Sequence, residues 1–122
     1  MAKRDLTGAV DFSYLERYAA GDPALVEEVL GLFRQQAEIW MRLLDPGAED
    51  GAWRDAAHSL KGSALAIGAT ELAGRCESAE REPAADLGRR TVLLGHVRTA
   101  MDAALADIAA YSHEQALRSL KG

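Results

Sequence analysis

Apolar residues recur along this chain in alternating steps of three and four, the spacing that places them on one face of a helix. The clearest runs are Val26, Leu30, Phe33, Ala37, Trp40, Leu44 and Trp53, Ala57, Leu60, Ala64, Ile67. A third is Leu94, Val97, Met101, Ala104, Ile108, Tyr111. Shorter faces are formed by Phe12, Leu15, Ala19 and by Ala69, Leu72, Cys76, Ala79.

Punctuation between these runs predicts five helices. The first spans about Asp11 to Ala20, with Ser13 and Glu16 spaced as a capping box, and Gly21 ends it. Asp22-Pro23 pairs an N-cap with proline at the first helical position and opens the second, which runs to about Leu44 before Asp45-Pro46-Gly47. The third is expected from Gly51 to Ile67, with Gly68 as its stop and Thr70 as the cap of the fourth. Pro83 terminates the fourth, and Asp86 caps the fifth. For the tail 112–122 the pattern does not choose between continued helix and fraying. Long amphipathic helices with short connections describe an all-α, antiparallel four-helix bundle with a short additional N-terminal helix over one end. The expected organisation is a single domain, 1–122, with its bundle core at about 22–111.

Composition agrees. The chain of 122 residues has 24 alanines but only 12 valines, isoleucines and threonines, favouring helix over strand. The length suits one core and is too short for a (β/α)8 barrel or a two-half dinucleotide-binding fold. A net charge of −5 provides no general field for nucleic acid. Cys76 is the single cysteine, so no intrachain disulfide can form, and a packing role is expected for it. Lys3 and Arg4 look like the start of a signal peptide, but Asp5 follows without a long apolar region. A cytoplasmic protein with no membrane association is therefore expected. Trp40 and Trp53 read as core, Arg89-Arg90 as a solvated turn, and His96 and His113 as surface residues without a role. Asp55-x-x-His58 lacks the second pair that a metal site would need.

The third helix also carries the candidate chemistry. At about 100° per residue, with Trp53 at zero, the core residues cluster near zero, while His58 falls near 140° and Leu65 near 120°. Gly62 falls near 180°, Arg54 near 100° and Lys61 near 80°. His58 thus points away from the core with Gly62 one turn along. Glycine there costs the helix about 1 kcal/mol relative to alanine, and core packing does not require it. An open approach to the imidazole does. A neutral imidazole nitrogen is a competent nucleophile near neutral pH. Lys61, as a mobile cation, would offset phosphoryl charge. The chain has no Walker motif and no kinase glycine loop, so a phosphoryl donor would be another protein.

The stretch Ala57-His58-Ser59-Leu60-Lys61-Gly62-Ser63-Ala64, followed by Gly68-Ala69, Leu72, Cys76 and Glu80, resembles the histidine-containing phosphotransfer (HPt) domain family. The resemblance implies a helical bundle without ATP-dependent kinase activity. Such a bundle relays a phosphoryl group between receiver-domain aspartates of hybrid histidine kinases and response regulators. It implies His58 as phosphoacceptor, Lys61 as phosphoryl-stabilising residue and Gly62 as the clearance residue. Glu80, where some members carry glutamine, would orient His58. Ala79 departs from the larger apolar residue found there in many members. Arg54 and Leu65 are the expected partner-docking residues. The chain would have no cofactor of its own, Mg2+ being supplied by the receiver, and would be monomeric. The alternative is a non-phosphorylated helical interaction module that binds a receiver domain or a partner helix through the same Leu65 face.

Overall fold

The computed structural model describes residues 6–121. Lys3, Arg4 and Asp5 of the N-terminal reading, and Gly122 of the tail, lie outside the described residues. The chain forms α1 (Phe12–Tyr18), α2 (Pro23–Leu43), α3 (Asp50–Ala66), α4 (Thr70–Glu80) and α5 (Leu87–Lys121), with no strand among the described residues. The last four pack in a ring, α2 on α3, α3 on α4, α4 on α5 and α5 back on α2. Short connections at 44–49, 67–69 and 81–86 make neighbours antiparallel.

The core is built from the faces the sequence marks. All five residues of the α3 seam, from Trp53 to Ile67, are buried, as are the third run on α5 and the face from Ala69 to Ala79. Trp40 is the exception on α2: it is half-buried, and its indole N–H donates to Gln36 Oε1 at 3.0 Å. The tail continues as helix, so α5 extends to Lys121.

Helix ends follow local chemistry. Asp22 Oδ1 accepts the Ala24 amide, with Pro23 at the first helical position. Asp86 Oδ1 accepts the Arg89 amide at the start of α5. The expected capping box at Ser13 is not formed. Asp11 caps α1 through the Tyr14 amide, and Glu16 is engaged elsewhere, accepting the Tyr111 hydroxyl at 2.8 Å. Thr70 is the first residue of α4 rather than its cap; Ala69 occupies the cap position without a side-chain bond.

α1 closes one end of the bundle. Phe12 stacks on Tyr111 at 4.2 Å, and Asp107 on α5 accepts the Thr7 amide and hydroxyl and the Ala9 amide. Gly68 makes this docking possible: its φ is +69°, and a Cβ there would lie 2.7 Å from the Asp11 Cβ.

Arg90 is not part of a solvated turn. It is 4% exposed and donates to the carbonyls of Pro46 (2.9 Å), Ala48 (2.6 Å) and Pro83 (2.6 Å), and to Asp50 (2.8 Å). Its guanidinium lies 5.1 Å from the Trp53 ring centre. One side chain of α5 thereby fastens the loops on both sides of the α3–α4 hairpin. Arg89 alone behaves as a surface residue, paired with Glu82.

Candidate functional site

The α3–α4 hairpin brings together three of the residues singled out in the sequence. His58 projects from α3 with two-thirds of its side chain exposed, and its Nδ1 lies 2.8 Å from Glu80 Oε2 on the last turn of α4. Lys61, one turn after His58, places Nζ 2.8 Å from the other oxygen, Oε1. Glu80 therefore bridges the imidazole and the ammonium, one on each carboxylate oxygen. Oε1 is shielded from solvent and meets Lys61 as an ion pair rather than a well-directed hydrogen bond.

This arrangement sets the tautomer of the His58 ring. The Lys61 ammonium is the largest cause holding the Glu80 carboxyl below its ordinary range; the His58 contact adds to it and desolvation opposes it. An ionised carboxylate can only accept hydrogen bonds, so Nδ1 is the donor and carries the proton. In the neutral ring Nε2 then has the free lone pair, and it has no protein hydrogen-bond partner among the described residues. Glu80 in turn raises the Lys61 ammonium above its ordinary value, through close contact first, against desolvation. The expectation of a mobile lysine is thus corrected: Lys61 is tethered beside the ring, its side chain only 24% exposed.

Gly62 is exposed, and a Cβ built on it would meet nothing within 4 Å. The glycine is not demanded by packing within this chain. Gly31, Gly74 and Gly95 are equally open, so it is the place beside His58, and not openness alone, that distinguishes Gly62. Leu65 lies one turn beyond Gly62 and is 53% exposed. It lines a groove of about 590 Å³ together with Val10, Tyr14 and Thr70. Arg54 is also exposed, with Nε 3.6 Å from Asp55 Oδ1, and it forms no hydrogen bond or ion pair with His58 or Glu80. With its side chain two-thirds exposed, the His58 ring is open to a macromolecular surface.

Sequence reasoning missed how the last turn of α4 is held. The fully buried Trp53 donates its indole N–H to the carbonyl of Ala79, the residue before Glu80, at 2.9 Å. The bond joins residues 26 apart, and neither carries a local sign of the other. Cys76 is buried on the same helix, and burial pushes its thiol up to about 12, the state of a packing residue rather than a nucleophile.

Comparison with known proteins agrees with this architecture. The Hpt domain family model matches residues 24–111, from the first turn of α2 to Tyr111 on α5. No curated protein matches. Among solved structures, the chain is similar to the crystal structure of the histidine phosphotransferase ShpA from Caulobacter crescentus, with 54% sequence identity and a TM-score of 0.76. That match covers 93% of this chain and 99% of the other. This helical bundle with an exposed histidine, matched over most of its length by this model and this relative, belongs to the Hpt domain family of histidine phosphotransfer proteins.

Proposed function

We propose that this chain relays a phosphoryl group between receiver-domain aspartates, with His58 as the phosphorylated residue. The observation that carries the reading is the 2.8 Å contact of His58 Nδ1 with Glu80, which leaves Nε2 as the nucleophile. The Nε2 lone pair attacks the phosphorus of an aspartyl phosphate. The N–P bond forms as the P–O bond to the aspartate breaks, and that electron pair leaves on the carboxylate. The ring becomes cationic while Nδ1 keeps its proton against Glu80, so no proton has to move. In the onward step an aspartate oxygen attacks phosphorus and the N–P electrons return to the ring.

Lys61, paired with Glu80 one turn from His58, would leave that carboxylate during transfer to offset charge on a phosphoryl oxygen. Gly62 leaves room for the partner surface, and Leu65 and Arg54 are the docking residues we assign around it. Among the described residues no three His, Cys, Asp or Glu side chains are grouped to hold a metal ion. We assign no cofactor to this chain, and Mg2+ used in transfer would come with the receiver. No helix of the described residues is long and apolar enough to cross a membrane.

Incubation with a phosphorylated receiver domain should move one acid-labile phosphate per chain, and His58→Gln should abolish it. Transfer that persists in His58→Gln would show that the acceptor is another residue. Receiver binding by wild type without any acid-labile phosphate would instead favour the interaction-module reading that the exposed Leu65 suggests.

A further inference from the structure

α4 ends where the chain loses a backbone donor. In a continuing helix the carbonyl of Ala79 would accept the amide of residue 83, but that residue is proline and has none. The carbonyl takes a 3.3 Å bond from the Glu82 amide and, at 2.9 Å, the indole N–H of Trp53. A fully buried indole N–H has to find an acceptor, and this one fits the vacancy that proline leaves. The Pro83 carbonyl is held at 2.6 Å by Arg90, whose guanidinium also lies against the Trp53 ring. The backbone is thus fastened both one residue before Glu80 and three residues after it.

These ties join the same two helices as the site contacts. Trp53 and His58 lie on α3, five residues apart, while Ala79 and Glu80 are adjacent on α4. Any slide or rotation of α4 that lengthens the Trp53–Ala79 bond also moves the Glu80 carboxylate relative to His58 Nδ1 and Lys61 Nζ. A displacement of about 1 Å takes a 2.8 Å contact beyond hydrogen-bond reach.

We infer that Trp53 is a positioning residue for the phosphoacceptor: its indole N–H sets the register of the last turn of α4, so that Glu80 bridges His58 and Lys61. The inference rests on the reading of His58 as the phosphorylated residue. Trp53 acts through Glu80 and touches no phosphoryl group itself.

The test is Trp53→Phe, which keeps an aromatic ring beneath Arg90 and removes the donor. Two readouts are followed in the full chain: phosphorylation of His58 by potassium phosphoramidate, and the His58 ring tautomer by 15N NMR, which needs no phosphate. The variant should be folded by circular dichroism, show a mixed His58 tautomer, and be phosphorylated about 5-fold more slowly, the loss expected from one hydrogen bond. In a Glu80→Ala background the same change should slow phosphorylation less than about 2-fold, because coupled residues are not additive. A wild-type rate and tautomer in Trp53→Phe would overturn the inference. So would an equal slowing with and without Glu80, which would mark a general packing defect. If Trp53→Phe does not fold, β-(3-benzothienyl)alanine placed at position 53, isosteric with tryptophan but without the N–H, undergoes the same comparisons. Wild type that is never phosphorylated on His58 would refute the phosphoacceptor reading, while the tautomer comparison would still decide whether Trp53 positions Glu80.

Discussion

Arg90 offers the sharpest test of how this bundle is held together. Arg90→Met keeps much of the aliphatic stem and removes the guanidinium. Three loop carbonyls, those of Pro46, Ala48 and Pro83, lose a charged donor, while Asp50, with 68% of its side chain exposed, regains water. Each orphaned carbonyl costs about 1 kcal/mol at the low end of the usual range. The cation–aromatic contact with Trp53 adds to the loss. Against this, Arg90 Nε is itself buried without a partner, so removing the group also relieves a desolvation penalty. The balance is a loss of about 3 kcal/mol, a large share of the roughly 5–15 kcal/mol that holds a domain. At about 2.1 cal/mol/K per residue, a chain of 122 residues should then melt about 12 °C lower. Urea unfolding followed by circular dichroism measures the free energy, with Arg89→Met as the control because the exposed Arg89 side chain hydrogen-bonds Glu82 and no backbone carbonyl. If Arg90→Met melts within about 4 °C of that control, the buried guanidinium does not fasten the two loops.

Three further outcomes follow from the site. Gly62→Ala should stabilise the isolated chain by about 0.5–1 kcal/mol in urea unfolding, because the new Cβ meets nothing, yet slow transfer from a receiver and leave phosphorylation by phosphoramidate unchanged. Glu80 is depressed from its ordinary value of 4.5, so its contribution to stability is complete above that value and is lost as pH falls through the lower folded one. The difference in urea midpoint between wild type and Glu80→Gln should therefore be retained between about pH 6 and pH 9 and vanish in acid; a difference that vanishes within that window and persists in acid would contradict this. The Cys76 thiol, raised from 9.0 to about 12, should react with a thiol reagent at pH 8 only as fast as the protein opens. Between those two values the unfolded chain releases its proton first, so stability should decline with rising pH in wild type and less so in Cys76→Ala.

Much of the molecule was legible in its residues because the information is local. The seam from Trp53 to Ile67 needs only helical periodicity, and the same wheel puts His58 on the opposite side. Asp22-Pro23 and Pro83 act through backbone chemistry within one turn, and both mark helix ends. The failures are long-range. Arg90 lies beside Arg89 and is chemically identical to it, and the difference arises from carbonyls 42 and 44 residues away. The capping box at Ser13 was a sound local pattern, but Glu16 is drawn to Tyr111, 95 residues on. Trp40 fits its seam, yet α2 leaves it only half covered.

Residue order by itself determined a helical bundle and a histidine on its exposed arc, because period, caps and breakers are properties of neighbouring residues. Only the tertiary structure decided that Glu80 bridges His58 and Lys61 and that Trp53 and Arg90 clamp the turn carrying Glu80. A hydrogen bond forms at about 3 Å, and only folding brings α4 and α5 within that distance of α3.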